Sequence, residues 1–170
     1  MIESIYYKSP VGDLKISGND TSIRELLFVD TNKNGSIENN SRAYLIPTSI
    51  VLKNCITQMD DYFSGRNLKF DLTLLQRGTS FQQQVWSELI NIPAGQTISY
   101  LQLSKNLGNV KAIRAVGTAN GKNNIAIIVP CHRVIGSNGD LVGYAGDLWR
   151  KKWLLAHEAK YVNGVQSLFG

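Results

Sequence analysis

The chain has 170 residues, 43% hydrophobic and 18% charged, enough for one medium or two small domains with cores of their own. No run approaches the roughly 18 apolar residues of a membrane span, the start Met1-Ile2-Glu3-Ser4 lacks the regions of a secretory signal, and the expected compartment is the cytoplasm. Cys55 and Cys131 lie far apart in sequence, which supports neither a disulfide framework nor a zinc ribbon. A set of Cys55, Cys131, His132 and His157 lacks the close ligand pairs of structural zinc, so no metal and no cofactor is expected. The net charge of +5 is unevenly spread: residues 1–78 carry 9 basic and 9 acidic side chains, residues 79–170 carry 9 and 4. A positive field confined to the second half favours a polyanion such as nucleic acid, although solvated basic surfaces are also common.

Taken in order, Ile5-Tyr6-Tyr7 and Leu14-Lys15-Ile16 flank the turn residues Ser9-Pro10-Val11-Gly12-Asp13, and with a third strand from Ile23 to Val29 they predict an antiparallel meander. Thr31 to Ser41 is polar and turn-rich, a loop. A helix is expected from Pro47 or Thr48 to Phe63, with Leu52, Cys55, Ile56, Met59, Tyr62 and Phe63 on its apolar face and Ser64-Gly65 ending it. Cys55 therefore reads as packing rather than chemistry. Leu68 to Gln76 looks extended, and the boundary between a domain of residues 1–77 and one of residues 78–170 is expected at Arg77-Gly78-Thr79.

The second half opens with a helix capped by Ser80 and lined inside by Phe81, Val85, Trp86 and Leu89, broken at Ile92-Pro93-Ala94-Gly95. A short helix capped by Ser99 stops at Gly108, and a second follows from Asn109 to Asn120. Two such helices about a glycine turn match a helix-turn-helix, a pattern also found in proteins that never touch DNA. Ala112, Ala115, Gly117 and Ala119 would let the second helix approach a surface closely, with Lys111 and Arg114 among them; Arg114 is either a solvated charge or a nucleic-acid contact.

Ile125 to Val129 is an apolar, strand-like run that should stop at Pro130 and present Cys131 on a turn. A lone cysteine is usually a small buried hydrophobe, but His132 and Arg133 are partners able to favour its thiolate. Gly136-Ser137-Asn138-Gly139 should join short strands, and the glycine-flanked Leu141 to Gly146 could pass close to a flat ligand. The last helix, Asp147 to Tyr161, would put Trp149, Trp153 and Ala156 on one face and leave Arg150, Lys151 and Lys152 to snorkel or face water, with His157 at the surface. Glu158 falls on its apolar side; it is either an ordinary exposed glutamate or the partner that orients His132, which would make a Cys–His pair competent.

Gly78-Thr79-Ser80-Phe81-Gln82-Gln83-Gln84-Val85-Trp86, Ile92-Pro93-Ala94-Gly95, Ser99-Tyr100, Arg114-Ala115-Val116-Gly117, Pro130-Cys131-His132-Arg133-Val134 and Gly143-Tyr144-Ala145-Gly146 resemble, in order and spacing, the motifs of the O6-alkylguanine-DNA alkyltransferases. The resemblance covers residues 78–160; the N-terminal half is similar in plan alone. It implies a small α/β N-terminal domain of ribonuclease H-like shape and a mostly α C-terminal domain with a winged helix-turn-helix-like motif. It further implies a monomer that takes alkylated guanine from double-stranded DNA, flips it, and transfers the alkyl group irreversibly to its own cysteine, with O4-alkylthymine a poorer substrate. By that likeness Cys131 is the acceptor, His132 its base through a water, Glu158 the orienting carboxylate and Asn123 a hinge residue. Tyr100 donates to N3 of the departing guanine and Arg114 fills the space that the base leaves. Lys111, Ala112, Ile113, Ala115 and Gly117 lie against DNA, while Val134, Tyr144, Ala145 and Gly146 line the pocket with Tyr100. The chain departs from the pattern at Asn124, Ser104, Ala145 and Asp147, which bears on pocket breadth. The competing readings are an alkyltransferase-like sensor that binds lesions without repairing them, although such proteins replace the cysteine that Cys131 provides here, and a plain helix-turn-helix regulator with an inert thiol.

Overall fold

The computed structural model describes residues 1–29, 46–141, 144 and 147–163, so the expected loop from Thr31 to Ser41 lies outside the described residues. The chain divides into two compact units, Met1–Gln76 and Arg77–Gly170.

In the first unit β1 (Glu3–Ser9), β2 (Gly12–Gly18) and β3 (Ile23–Phe28) form an antiparallel sheet in that order, with Ile5 opposite Ile16 and Leu14 opposite Phe28. The hairpin between β1 and β2 closes through Gly12 at φ +97°, a left-handed value that glycine takes without strain. Helix α1 (Ile50–Ser64) packs on β2 and β3, burying Leu52, Cys55, Met59 and Tyr62 against Leu14, Ile16, Ile23 and Leu26. Each such side chain contributes about 1.5–3 kcal/mol of burial. The helix starts later than expected because Ser49, not Pro47 or Thr48, caps it, accepting from Leu52 N at 3.3 Å. Glu3 fastens that start by accepting from Thr48 N and Ser49 N. The extended stretch after α1 is not a full strand: it meets the sheet in one parallel bridge, Ile23 with Leu74.

In the second unit α2 (Ser80–Leu89) is capped by Thr79 rather than Ser80. Thr79 has Gln82 three residues on, and the two bond reciprocally at 3.1 and 2.9 Å, a capping box. Trp86 of α2 donates from its indole to Ala119 O at 2.9 Å, and a Cβ at Gly78 would collide with its ring. Strand β4 (Ile98–Ser99) leads into α3 (Tyr100–Asn106), capped by Ser99, and Gly108 at φ +76° turns the chain. The expected second helix splits. Asn109 makes no side-chain cap, so its first turn winds tightly as a 3₁₀ segment, Val110–Ala112, before α4 (Ile113–Gly121).

The largest departure from expectation is Ile125 to Val129, which forms consecutive turns instead of a strand. Ile128 N–H bonds Ala126 O at 2.8 Å across Ile127 at φ +70°, the classic γ-turn, and Cys131 N–H bonds Val129 O at 2.8 Å across Pro130 at φ −84°, ψ +63°, its inverse form. A 3₁₀ turn, Cys131–Arg133, follows and feeds β5 (Val134–Ile135), which pairs in parallel with β4. No strand follows the turn at Gly136–Gly139 among the described residues; it closes instead on Asp140 O, which accepts from Gly136 N at 2.8 Å. Helix α5 (Leu148–Asn163) completes the unit, and no helix among the described residues is long and apolar enough to cross a membrane.

Candidate active site

The turn Cys131–Arg133 lies against α5, and the face α5 presents is polar. Arg150, Lys151, Leu154, His157 and Glu158 are buried, whereas Trp149 is 51% exposed. Hydropathy assigns Arg150 and Lys151 to the water side and Trp149 to the core; the structure reverses both, because the groups that α5 must meet are themselves charged or hydrogen-bonding. His157, expected at the surface, stacks on Trp153 with ring centroids 4.7 Å apart.

Glu158 is fully buried and accepts three hydrogen bonds from two residues. His132 Nε2 lies 2.6 Å from Oε1, Arg133 Nη2 donates to the same oxygen at 2.8 Å, and Arg133 Nε donates to Oε2 at 2.9 Å. Arg133 also donates to Ile92 O at 2.6 Å, so its guanidinium serves Glu158 and not, as the sequence suggested, the neighbouring thiol. Burial opposes the charge on Glu158, but His132, through its charge once the ring is protonated and its hydrogen bond, and Arg133, through its hydrogen bonds and charge, outweigh it and hold the carboxyl well below the usual range. Burial likewise lowers the basicity of His132, against the pull of Glu158 and aided by Arg133 and Lys151. The ring is thus neutral at rest. With Nε2–H donating to the carboxylate, Nδ1 is left as the basic nitrogen, and it has no hydrogen-bond partner among the described protein atoms.

Cys131 is 6% exposed, and burial pushes its thiol up. Opposing that are a hydrogen bond from Asn123, the charge of Lys151, and the backbone N–H groups of Cys131 and His132. Asn123 donates to Val129 O at 2.8 Å and accepts from Ile125 N at 3.0 Å, clamping the turn that leads to the cysteine, and Asn120 of α4 donates to Cys131 O at 3.3 Å. Tyr100 and Tyr144 face the same sulfur: burial first, then the charge of Cys131, raises both phenols. Val134 O accepts from Lys151 Nζ at 2.6 Å. Gly117 abuts the Tyr100 ring, where a Cβ would sit 3.9 Å away. On the outer side of α4 and its leading turn Lys111, Ile113, Arg114 and Ala115 are exposed and Ala112 is half-buried. Ala145 and Gly146 lie outside the described residues.

Two family models match the chain: the DNA binding domain of 6-O-methylguanine DNA methyltransferase over residues 80–160, and its ribonuclease-like domain over residues 2–76. A methylated-DNA-protein-cysteine methyltransferase of Methanosarcina mazei is 41% identical over 157 residues, 91% of this chain and 97% of that one. The Mycobacterium tuberculosis protein of the same name is 40% identical over 168 residues, 97% and 99% of the two chains. The chain belongs to the 6-O-methylguanine DNA methyltransferase family. Among solved structures, M. tuberculosis O6-methylguanine methyltransferase superposes over the full length of both chains with TM-score 0.82 at 39% identity. M. tuberculosis OGT in complex with DNA does so over 93% of each chain with TM-score 0.79 at 40% identity.

Two residues of this methyltransferase-family site escaped the sequence reading. Lys151 sits three and seven residues before Leu154 and Glu158, on one helical stripe, so a carboxylate accepted as buried should have drawn the lysine inward with it. Asn120 follows Val116 and Ala119 on the inner side of α4 and carries no comparable signal until the turn that it holds is known.

Proposed function

We propose that this protein repairs DNA directly, by moving the alkyl group of O6-alkylguanine, and less readily of O4-alkylthymine, onto Cys131. What carries the reading is a buried-turn cysteine whose next residue, His132, is a carboxylate-bound imidazole and whose sulfur feels the charge of Lys151, in one unit with exposed basic residues around α4. The relatives' names and the solved complex of one with DNA support it. Arg114, with Lys111, Ala112, Ile113, Ala115 and Gly117, engages the duplex, and the lesion leaves the stack for a pocket of Tyr100, Val134, Tyr144, Ala145 and Gly146. Extrusion costs a few kcal/mol, least for a mispaired base.

His132 Nδ1 takes the thiol proton through a water, Glu158 holds the imidazolium that results, and Asn123 fixes the turn. The sulfur then displaces the purine at the alkyl carbon: the S–C bond forms, the C–O6 bond breaks, and the electron pair leaves with guanine, which Tyr100 protonates at N3. The thioether has no easy return, so each molecule acts once. We infer a structural domain over residues 1–77 and a transferase domain over residues 78–170, working as a monomer without cofactor. A thiol that must stay reduced fits the cytoplasm.

Intact-mass measurement after incubation with an O6-methylguanine duplex should show one added methyl, absent in Cys131→Ser. Unchanged mass with tight binding to the lesion would instead support the sensor reading.

A further inference from the structure

Lys151 is a buried amine that the reaction as just described does not use. It is fully inaccessible to solvent and donates to Val134 O at 2.6 Å, one residue past the turn that carries Cys131 and His132. Its Nζ lies 5.9 Å from the centroid of the Tyr100 ring, within the range over which an ammonium is attracted to an aromatic face. Burial pushes the amine down to about 8, while the charge of Cys131 pulls it back up. A lysine kept only for packing would be replaced at lower cost by methionine, because ammonium desolvation is expensive. Cys131, His132, Tyr100 and Val134 O are among the groups that face it.

We propose that Lys151 is a stationary counter-charge for the transfer, facing the negative charge first on the Cys131 sulfur and then on the departing purine beside Tyr100. The inference rests on the alkyl-transfer reading. In that reaction the negative charge does not stay where it starts. It begins on Sγ, moves with the electron pair to the purine when the C–O6 bond breaks, passes to the Tyr100 oxygen when its proton goes to N3, and ends when the phenolate takes a proton from solvent. Lys151 stands by both ends of that path, bonded to the Val134 backbone and over the Tyr100 ring, so neither it nor its proton has to move as the charge crosses. It acts through Cys131 and Tyr100 and is therefore a positioning residue. A charge already oriented stabilises the developing anion without reorganisation at the moment of reaction.

The test compares Lys151→Met, which keeps length and removes charge, with Lys151→Arg, which keeps charge. Iodoacetamide labelling of Cys131, followed by mass against pH, reads the thiolate without DNA. Single-turnover methyl transfer from an O6-methylguanine duplex reads the reaction. Lys151→Met should move the labelling midpoint up by about one pH unit and slow transfer about ten- to a hundredfold, and Lys151→Arg should restore most of both. An unchanged labelling profile overturns the inference even if transfer is lost, since lost transfer alone is what a merely structural lysine would give. Wild-type protein that labels but never gains a methyl overturns the alkyl-transfer reading instead. Should Lys151→Met fail to fold, wild type and Lys151→Arg carry the test. Raising the pH to about 10 discharges the lysine but not a guanidinium, so transfer per thiolate must fall in the wild type and hold in Lys151→Arg. Equal profiles overturn the proposal.

Discussion

Glu158 carries three charge-assisted hydrogen bonds at a position closed to solvent, and removing its charge leaves the Arg133 guanidinium buried without a counter-ion. Glu158→Gln should therefore lower stability near pH 7 by about 3–5 kcal/mol, the usual result of breaking one side of a buried pair. The sign of the pH effect follows from the folded carboxyl being held below its unfolded value of about 4.3. The contribution is complete above that value and is lost as pH falls from it toward the folded one. His132, whose basicity is also lowered by burial, acts in the same direction from its unfolded value of about 6.5 downward. Urea melts of wild type and Glu158→Gln should therefore draw together below about pH 4. A gap that stays constant with pH would show that the carboxylate charge is not what holds the cluster.

Among the elements, the turn from Ile125 to Val129 carries the most specific expectation. Ile127 is buried at φ +70°, where a non-glycine residue pays about 1–2 kcal/mol. Truncating it to alanine should lose about 2–5 kcal/mol of packing. At an ordinary buried site glycine would cost a further 0.5–1 kcal/mol or about that, but here it relieves the left-handed backbone. Ile127→Gly should thus unfold at a urea midpoint equal to or above that of Ile127→Ala; a midpoint clearly below it would mean that the γ-turn is not held. Nothing in the sequence announced this turn, because five consecutive apolar residues fit a buried strand by period and length alike. What decides otherwise is Asn123, whose amide reaches forward to Val129 O and Ile125 N. The meander and α1 were legible, since alternation in Ile5, Leu14 and Ile16 and three-to-four spacing in Leu52, Cys55 and Met59 each select one periodicity. The inner face of α5 was not. Hydropathy sends Arg150 and Lys151 outward, and only the partner groups on the Cys131 turn reverse that. Cys131, His132 and Glu158 are named as candidates from the sequence, whereas Lys151, on the same helical stripe as Glu158, is sent outward with the other charges.

For the whole molecule, the uneven charge noted at the outset becomes a surface. Lys105, Lys111, Arg114 and Lys122 are exposed around α3 and α4, whereas Glu158, one of the few acids of residues 79–170, is withdrawn from solvent by its own partners. Arg133, Arg150 and Lys151 are withdrawn with it, so the field that DNA meets is set by the exposed bases around α3 and α4 rather than by the count for the whole half. Binding through phosphates releases counter-ions, so affinity should fall linearly in log–log form with salt, and each lost contact should flatten the slope by about 0.9. Lys111→Ala should accordingly weaken binding to any duplex, alkylated or not, and flatten that slope by about 0.9. Met59→Ala, in the core of the first unit, should cost about 2–5 kcal/mol of stability and leave the slope as in the wild type, because it removes no charge. Titrations of an undamaged duplex over a range of salt, with both variants beside wild type, separate a phosphate contact from a general loss of fold. If Lys111→Ala kept the wild-type slope while affinity dropped, the helix would be holding DNA by something other than its charge.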